Sequence, residues 1–396
     1  MASSDKPVQL EPPRVVTDGL TPAARFPRRA IRSLGGWRSD GAARWVFIWP
    51  SVVVILVLSV FPLLASLTLA FSRLVFQKGR VDVQFVDVKN FSVLLFGTER
   101  THLLGLLKAP TPLGWVVFGL GLALVVRFLV AAARQTGMRP LRFGLRVVGA
   151  LLVTALLWLV VQTLFSEGGR PGSLVVTMIY VFAGIVIQYV LGLGLAILAV
   201  QPLRGRRFFR VVFLLPLTIT PIGVGYMFRM MTDTGKGPLE PLFAALGMTH
   251  YTWVTDPWAA RIAVIIGDAW QWTPFVFIIL LAALEGQDQE VKEAALVDGA
   301  SHWQTFRHIT IPAILPVSTT IVLIRLIEGF KIVDMPNILT GGGPGTATQS
   351  LTLQAYLDWR TLNLGRSAAT AYILLLLVTF IATAYVAWAR RRVAAT

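Results

Sequence analysis

Apolar residues in this chain run in long blocks rather than alternating. Eight blocks stand out, at 45–71, 113–133, 143–165, 174–200, 211–231, 260–284, 316–334 and 369–389. Each reaches the length of roughly 18 residues that marks a membrane-spanning helix. Backbone in lipid must satisfy its own hydrogen bonds, so blocks of this kind fold as helices. The pattern predicts an all-α polytopic membrane protein with about eight transmembrane helices.

Composition sharpens that prediction. Of 396 residues, 55 % are hydrophobic and only 14 % are charged, against about 25 % charged in a soluble domain. The formal net charge of +16 would suggest nucleic acid on a soluble protein. Here the excess flanks the apolar blocks, so no nucleic-acid partner is expected and the charges set orientation instead. Arg28, Arg29, Arg32, Arg38 and Arg44 precede the first block. Arg134, Arg139, Arg142 and Arg146 lie between the second and third, Arg204, Arg206, Arg207 and Arg210 between the fourth and fifth, and Arg390–Arg392 after the last. All four clusters fall on one side of an eight-span path, which predicts cytoplasmic N and C termini. The segments 72–112, 232–259 and 335–368 then face outward, and 285–316 faces the cytoplasm. The segment 72–112 also carries Lys and Arg, mixed with Asp and Glu, and weighs less in the assignment. Residues 1–44 are polar and rich in Pro and Arg, without a cleavable signal, and are expected to form a disordered cytoplasmic tail. Residues 113–165 read as a transmembrane hairpin.

The polar stretch 293–316, EAALVDGASHWQTFRHITIPAILP, is far longer than a reversal of chain direction requires. Asp288 and Glu290 give an acidic first turn to a helix through Val297. Asp298-Gly299 breaks it. Ser301 with Gln304 fits a capping box that starts a second helix, carrying Trp303, Phe306 and Ile309 at three-residue spacing. Pro312 and Pro316 are expected to end the segment. A helix–break–helix of this kind is either a docking element for another protein or an amphipathic surface on lipid.

Ionisable groups inside apolar blocks are costly and usually face a bundle interior or polar cavity. Arg325, Glu328, Lys331 and Asp334 follow one another at i,i+3 in the seventh block and can form a sign-alternating ladder. They serve either to hold helices together or to line a translocation path. Asp268, Gln271 and Trp272 share a face of the sixth block. A carboxylate, an amide and an aromatic plane suit a polyhydroxylated ligand, although Trp at such positions is commonly packing. Tyr226 is a weaker candidate. Pro274 can kink that block. Leu339-Thr340-Gly341-Gly342-Gly343-Pro344-Gly345 cannot continue a helix and is expected to turn near the outer surface.

The four His residues are scattered and there is no Cys, so no metal site, cofactor or catalytic residue is expected. No phosphate-binding Gly-rich loop is present. An ion-coupled secondary transporter would call for inverted repeats, and none is visible.

Glu293-Ala294-Ala295, Asp298-Gly299-Ala300, Phe306, Ile309, Pro312 and Pro316 resemble the EAA signature of binding-protein-dependent ABC importer permeases. The chain is most similar to their carbohydrate branch, the maltose and glycerol-phosphate type. Trp272-Thr273-Pro274-Phe275 and the 339–344 run with Ala347-Thr348 agree with that branch. The resemblance covers the first block and the fourth to eighth, and it leaves 113–165 as an insertion in a six-helix core. It implies an inner-membrane transport subunit, not an enzyme, in which Glu293, Ala294, Ala295, Asp298, Gly299 and Phe306 contact a cytoplasmic ABC ATPase dimer. ATP and Mg would be used by that partner. A second permease subunit and an external substrate-binding protein complete the implied assembly, within membrane lipid. Asp268, Gln271, Trp272, Glu328, Lys331 and Asp334 are then the candidates for a substrate pathway for a sugar, oligosaccharide or polyol. The alternatives are a non-carbohydrate solute or an ion-coupled transporter.

Overall fold

The computed structural model describes residues 40–77, 80–134, 140–202, 204–247 and 255–393. The expected N-terminal tail lies almost wholly outside these residues. The backbone divides into two units, Met1–Pro62 and Leu63–Thr396. The core, the site and the cavities described below belong to the second.

Among the described residues, seven helices are long and apolar enough to cross a membrane: α1 (Ile48–Ala70), α2 (Pro112–Ala133), α3 (Pro140–Leu164), α4 (Ser173–Val200), α7 (Pro257–Glu285), α9 (His302–Gly329) and α12 (Leu364–Val393). An eighth crossing would need α5 (Arg206–Thr218) and α6 (Pro221–Met231) together, and these meet at 98°. The expected straight span at 211–231 is therefore broken. Ile219 is extended, Thr220 caps α6 by accepting from the Gly223 N–H at 3.3 Å, and Pro221 opens the new helix. Thr-Pro at this point is a helix-start signal, and it outweighs the continuous apolar run.

Three shorter helices complete the main set: α8 (Gln289–Val297), α10 (Asp334–Thr340) and α11 (Leu351–Arg360). Between α1 and α2, strands β1 (Ser72–Gln77) and β2 (Arg80–Phe85) pair antiparallel, Ser72 opposite Phe85. Two-residue strands β3 (Gly105–Leu106) and β4 (Arg170–Pro171) then tie this segment to the start of α4.

Helices α4 and α7 form the centre. Gly192 permits their close approach, because a Cβ there would sit 2.8 Å from Val276. Small residues at helix contacts drive packing in lipid, where apolar burial alone gives little. Around this pair lie Phe277, Leu280, Ile314 and Ile321 towards one end, and Val176, Tyr180, Phe228 and Met335 towards the other. A third cluster joins α4 to α12 through Val175, Phe330 and Ala369, with Leu156 and Leu159 of α3 packed against it.

Helix α9 departs from expectation. It runs unbroken from His302 to Gly329, so the second polar helix and the seventh span are one element and Pro312 does not end it. The turn just before, Phe306–Thr310, is widened to π geometry, which accommodates a proline that lacks an N–H and would crowd a regular turn. The helix also stops at Gly329, five residues short of the expected 334.

Candidate functional site

The chain presents two sites. The first is the polar segment between α7 and α9. Asp288 caps α8 by accepting from the Glu290 N–H at 2.9 Å. Asp298 closes α8, and Gly299 takes φ +82°, the left-handed conformation that a Cβ resists. Ser301 and Gln304 form a complete capping box, with bonds of 3.3 and 2.8 Å. The helix–break–helix read from sequence is thus present. No residue of α8 is buried. Glu293, Ala294, Asp298 and Gly299 are exposed, while Ala295 and Phe306 are half-buried. Val297 is 88 % exposed and Trp303 64 %, so the segment offers apolar side chains to something outside the chain.

Its base is fixed while its tip is free. Gln287 donates Nε2 to the Thr310 carbonyl at 3.1 Å. Arg210 donates to the Ala199 carbonyl at 2.8 Å and to Glu285 at 2.5 Å, joining the ends of α4, α5 and α7. The base of the segment is therefore tied to the ends of three helices.

The second site lies inside the bundle. Arg325 of α9 donates Nε to Gln188 of α4 at 2.7 Å and Nη2 to Asp268 of α7 at 3.1 Å. Gln188 donates Nε2 to the same Asp268 oxygen at 2.8 Å. The Arg325 guanidinium also lies 4.4 Å from the Trp272 ring centroid. A buried charge requires such partners, and three helices are locked through one triangle of side chains.

This arrangement corrects two expectations. Arg325 does not start a ladder along its own helix, because its carboxylate partner is Asp268 on α7. Glu328 and Lys331 pair with each other at 2.6 Å on the surface, and Asp334 begins α10 with no ion pair among the described residues. Nor do Asp268, Gln271 and Trp272 act as one face. Asp268 and Trp272 engage Arg325, whereas buried Gln271 donates to the Ile219 carbonyl at the α5–α6 break, at 3.4 Å. Gln188 was missed. It sits in an apolar helix with no charge nearby in sequence, and its signal is only that a buried amide needs partners.

The glycine-rich segment closes the end of the bundle opposite α8. Gly341, Gly342 and Gly345 all have left-handed φ. The loop folds inward: Thr348 is fully buried. Tyr180 donates to its carbonyl at 3.1 Å, and Arg261 donates to that of Ala347 at 2.7 Å. Beyond it, Ser173 of α4 donates to Gln354 of α11 at 2.5 Å.

A family model described as "Binding-protein-dependent transport system inner membrane component" matches residues 188–394, more than half of the chain. The chain belongs to this family. It is a multi-pass inner-membrane transport component. The trehalose/maltose transport system permease protein MalF of Thermococcus litoralis is 32 % identical over 220 residues, 56 % of this chain and 75 % of that protein. A probable permease for starch degradation products, AmyD of Thermoanaerobacterium thermosulfurigenes, is 30 % identical over 233 residues, 57 % of this chain and 77 % of that one. Among solved structures, a bacterial alginate ABC transporter in complex with its pentasaccharide-bound periplasmic protein has a chain that superposes with TM-score 0.51. Identity is 20 %, over 56 % of this chain and 78 % of that chain, a likeness of fold. All three matches leave more than two-fifths of the chain unaligned.

Proposed function

We propose that this chain is a transmembrane subunit of an ATP-driven importer for a sugar, oligosaccharide or polyol. Its α8–α9 corner docks into a cytoplasmic ABC ATPase subunit. One observation carries the docking reading: a segment with complete caps, a left-handed glycine and exposed Val297 and Trp303 projects from a base tied to three helices. An element built only to lie on lipid needs an apolar face but no rigid corner. Glu293, Ala294, Ala295, Asp298, Gly299 and Phe306 make the contact. The small side chains at 294 and 295 let the partner approach the backbone. The ATPase dimer supplies ATP and Mg chemistry, and this chain adds two packings whose equilibrium that contact shifts. A second permease subunit and an external binding protein complete the assembly, with both termini of this chain in the cytoplasm. The carbohydrate reading is supported by the relatives named for trehalose, maltose and starch products. In the present packing Asp268 and Trp272 serve Arg325. Glu328 and Lys331 are therefore the most exposed polar pair of the candidate pathway set.

The absence of native Cys makes the test clean. Val297→Cys in the otherwise unchanged chain should crosslink to a co-purifying ATPase subunit, and Gly299→Val should abolish that association. Crosslinks confined to phospholipid, with ATPase retention unchanged in Gly299→Val, would overturn the docking reading. Reconstituted ATPase activity should rise with a cognate binding protein loaded with a carbohydrate. No response across sugars and polyols would move the substrate to another class.

A further inference from the structure

Where α1 ends and α12 begins, a cavity of about 530 Å³ with mixed polar and apolar walls opens between β1, the Lys89–Leu95 helix and the 361–366 corner. Ser72, Arg73, Lys89, Asn90, Leu362 and Arg366 are among its lining. Its walls are well defined. Asn90 donates Nδ2 to the carbonyls of Ala70 and Ser72 at 2.8 and 2.9 Å. Gly365 approaches so closely that a Cβ there would lie 2.1 Å from the Ser72 carbonyl oxygen. Among the described residues, two non-glycine positions have left-handed φ, Asp87 at 50° and Leu362 at 63°. Leu362 lines the cavity, and Asp87 lies between two lining residues, Val86 and Lys89. Side chains resist this conformation, and its concentration at one place points to a constrained surface.

The charges in this cavity are unequal. Arg366 is neutralised by Glu99 at 2.6 Å and Asp358 at 2.5 Å. Arg73 and Lys89 are exposed, and neither has an ion pair among the described residues. The depth is informative too. Ala70 is the last residue of one spanning helix and Leu364 the first of another, so the cavity lies where the apolar layer gives way to headgroups. Leu362, 57 % exposed, lines the cavity, and two further exposed apolar side chains adjoin its lining residues in the chain or sheet: Val88, at 61 %, precedes Lys89, and Phe85, at 70 %, pairs with Ser72.

We infer that this cavity seats an anionic phospholipid, with Arg73 and Lys89 pairing its headgroup phosphate and Phe85, Val88 and Leu362 against its upper acyl chain. Unpaired cations at the edge of the apolar layer attract anionic headgroups. The apolar rim has no role for free phosphate, which carries no chain.

The test uses the full-length protein with its co-purifying subunits, in nanodiscs of phosphatidylcholine with and without phosphatidylglycerol. Retained lipid is counted by native mass spectrometry. Wild type should enrich phosphatidylglycerol, and Arg73→Ala/Lys89→Ala should lower that enrichment about tenfold or more. Arg73→Lys/Lys89→Arg should keep it, as should Lys108→Ala, which removes an exposed cation elsewhere on the same segment. Millimolar inorganic phosphate should not displace the lipid. The inference is overturned by equal retention in the double-alanine variant or by equal loss in Lys108→Ala. Displacement by inorganic phosphate would make this a free-anion site. Loss of external binding-protein association with lipid retention unchanged would make it a protein contact.

Discussion

The two ends of the helical bundle are built by opposite means. At the α8 end, the corner between α8 and α9 is held by its own residues: an aspartate cap, a glycine in the left-handed region and a capping box, all within 288–304. At the other end, the glycine-rich loop is held by residues far away in sequence, Tyr180 and Arg261, and buries Thr348 completely. The proposed docking surface cannot be covered by its own chain, so its shape has to come from local rules. A closure that never leaves the protein can rely on long-range bonds. Between the two ends, the Arg325–Asp268–Gln188 triangle joins α9, α7 and α4.

That contrast can be broken in order of size. The largest effect is expected in the triangle. Arg325→Met or Asp268→Asn leaves one buried charge without its partner, at about 3–5 kcal/mol. Thermal unfolding of the detergent-solubilised chain should show a large fall in midpoint for each, and Asp268→Asn with Arg325→Met should recover part of it. An unchanged midpoint in both single variants would mean that the triangle does not hold the helices. A smaller effect is expected at the glycine-rich end. Tyr180→Phe removes one donor from the buried Thr348 carbonyl, at about 1–3 kcal/mol, and should lower the same midpoint. The smallest global effect belongs to the α8 end. Ser301→Ala should cost about 1 kcal/mol locally, seen as faster amide exchange over 301–305 with the midpoint unmoved. A fall in midpoint as large as that of Tyr180→Phe would erase the distinction between the ends.

The same distinction governs what could be read in advance. The helix–break–helix at 288–304 was legible because caps and a left-handed glycine are short-range signals. The spanning helices were legible because lipid leaves the backbone one economical arrangement. The break between α5 and α6 was legible in principle, from Thr220-Pro221, but the hydrophobicity around it outweighed that signal. The fusion of the second polar helix with the seventh span was not legible, since Pro312 usually argues for an ending and only the widened turn before it allows passage. Of the ladder of Arg325, Glu328, Lys331 and Asp334, the Glu328–Lys331 pair forms, and the two outer pairs failed for a different reason. Spacing along one helix says which groups can meet, and it is silent about a stronger partner on a neighbour.

By itself, the amino-acid sequence determined the class of fold, the apolar helices and the shape of the segment between α7 and α9, because each depends on residues within a few turns of one another. The tertiary structure alone decided that Arg325 pairs with both Asp268 and Gln188, that Gln271 serves the α5–α6 break, and that the glycine-rich loop turns inward. Those outcomes depend on which helix faces come together, and in a bundle of uniformly apolar helices that choice is made by a few small and polar contacts scattered across the whole chain.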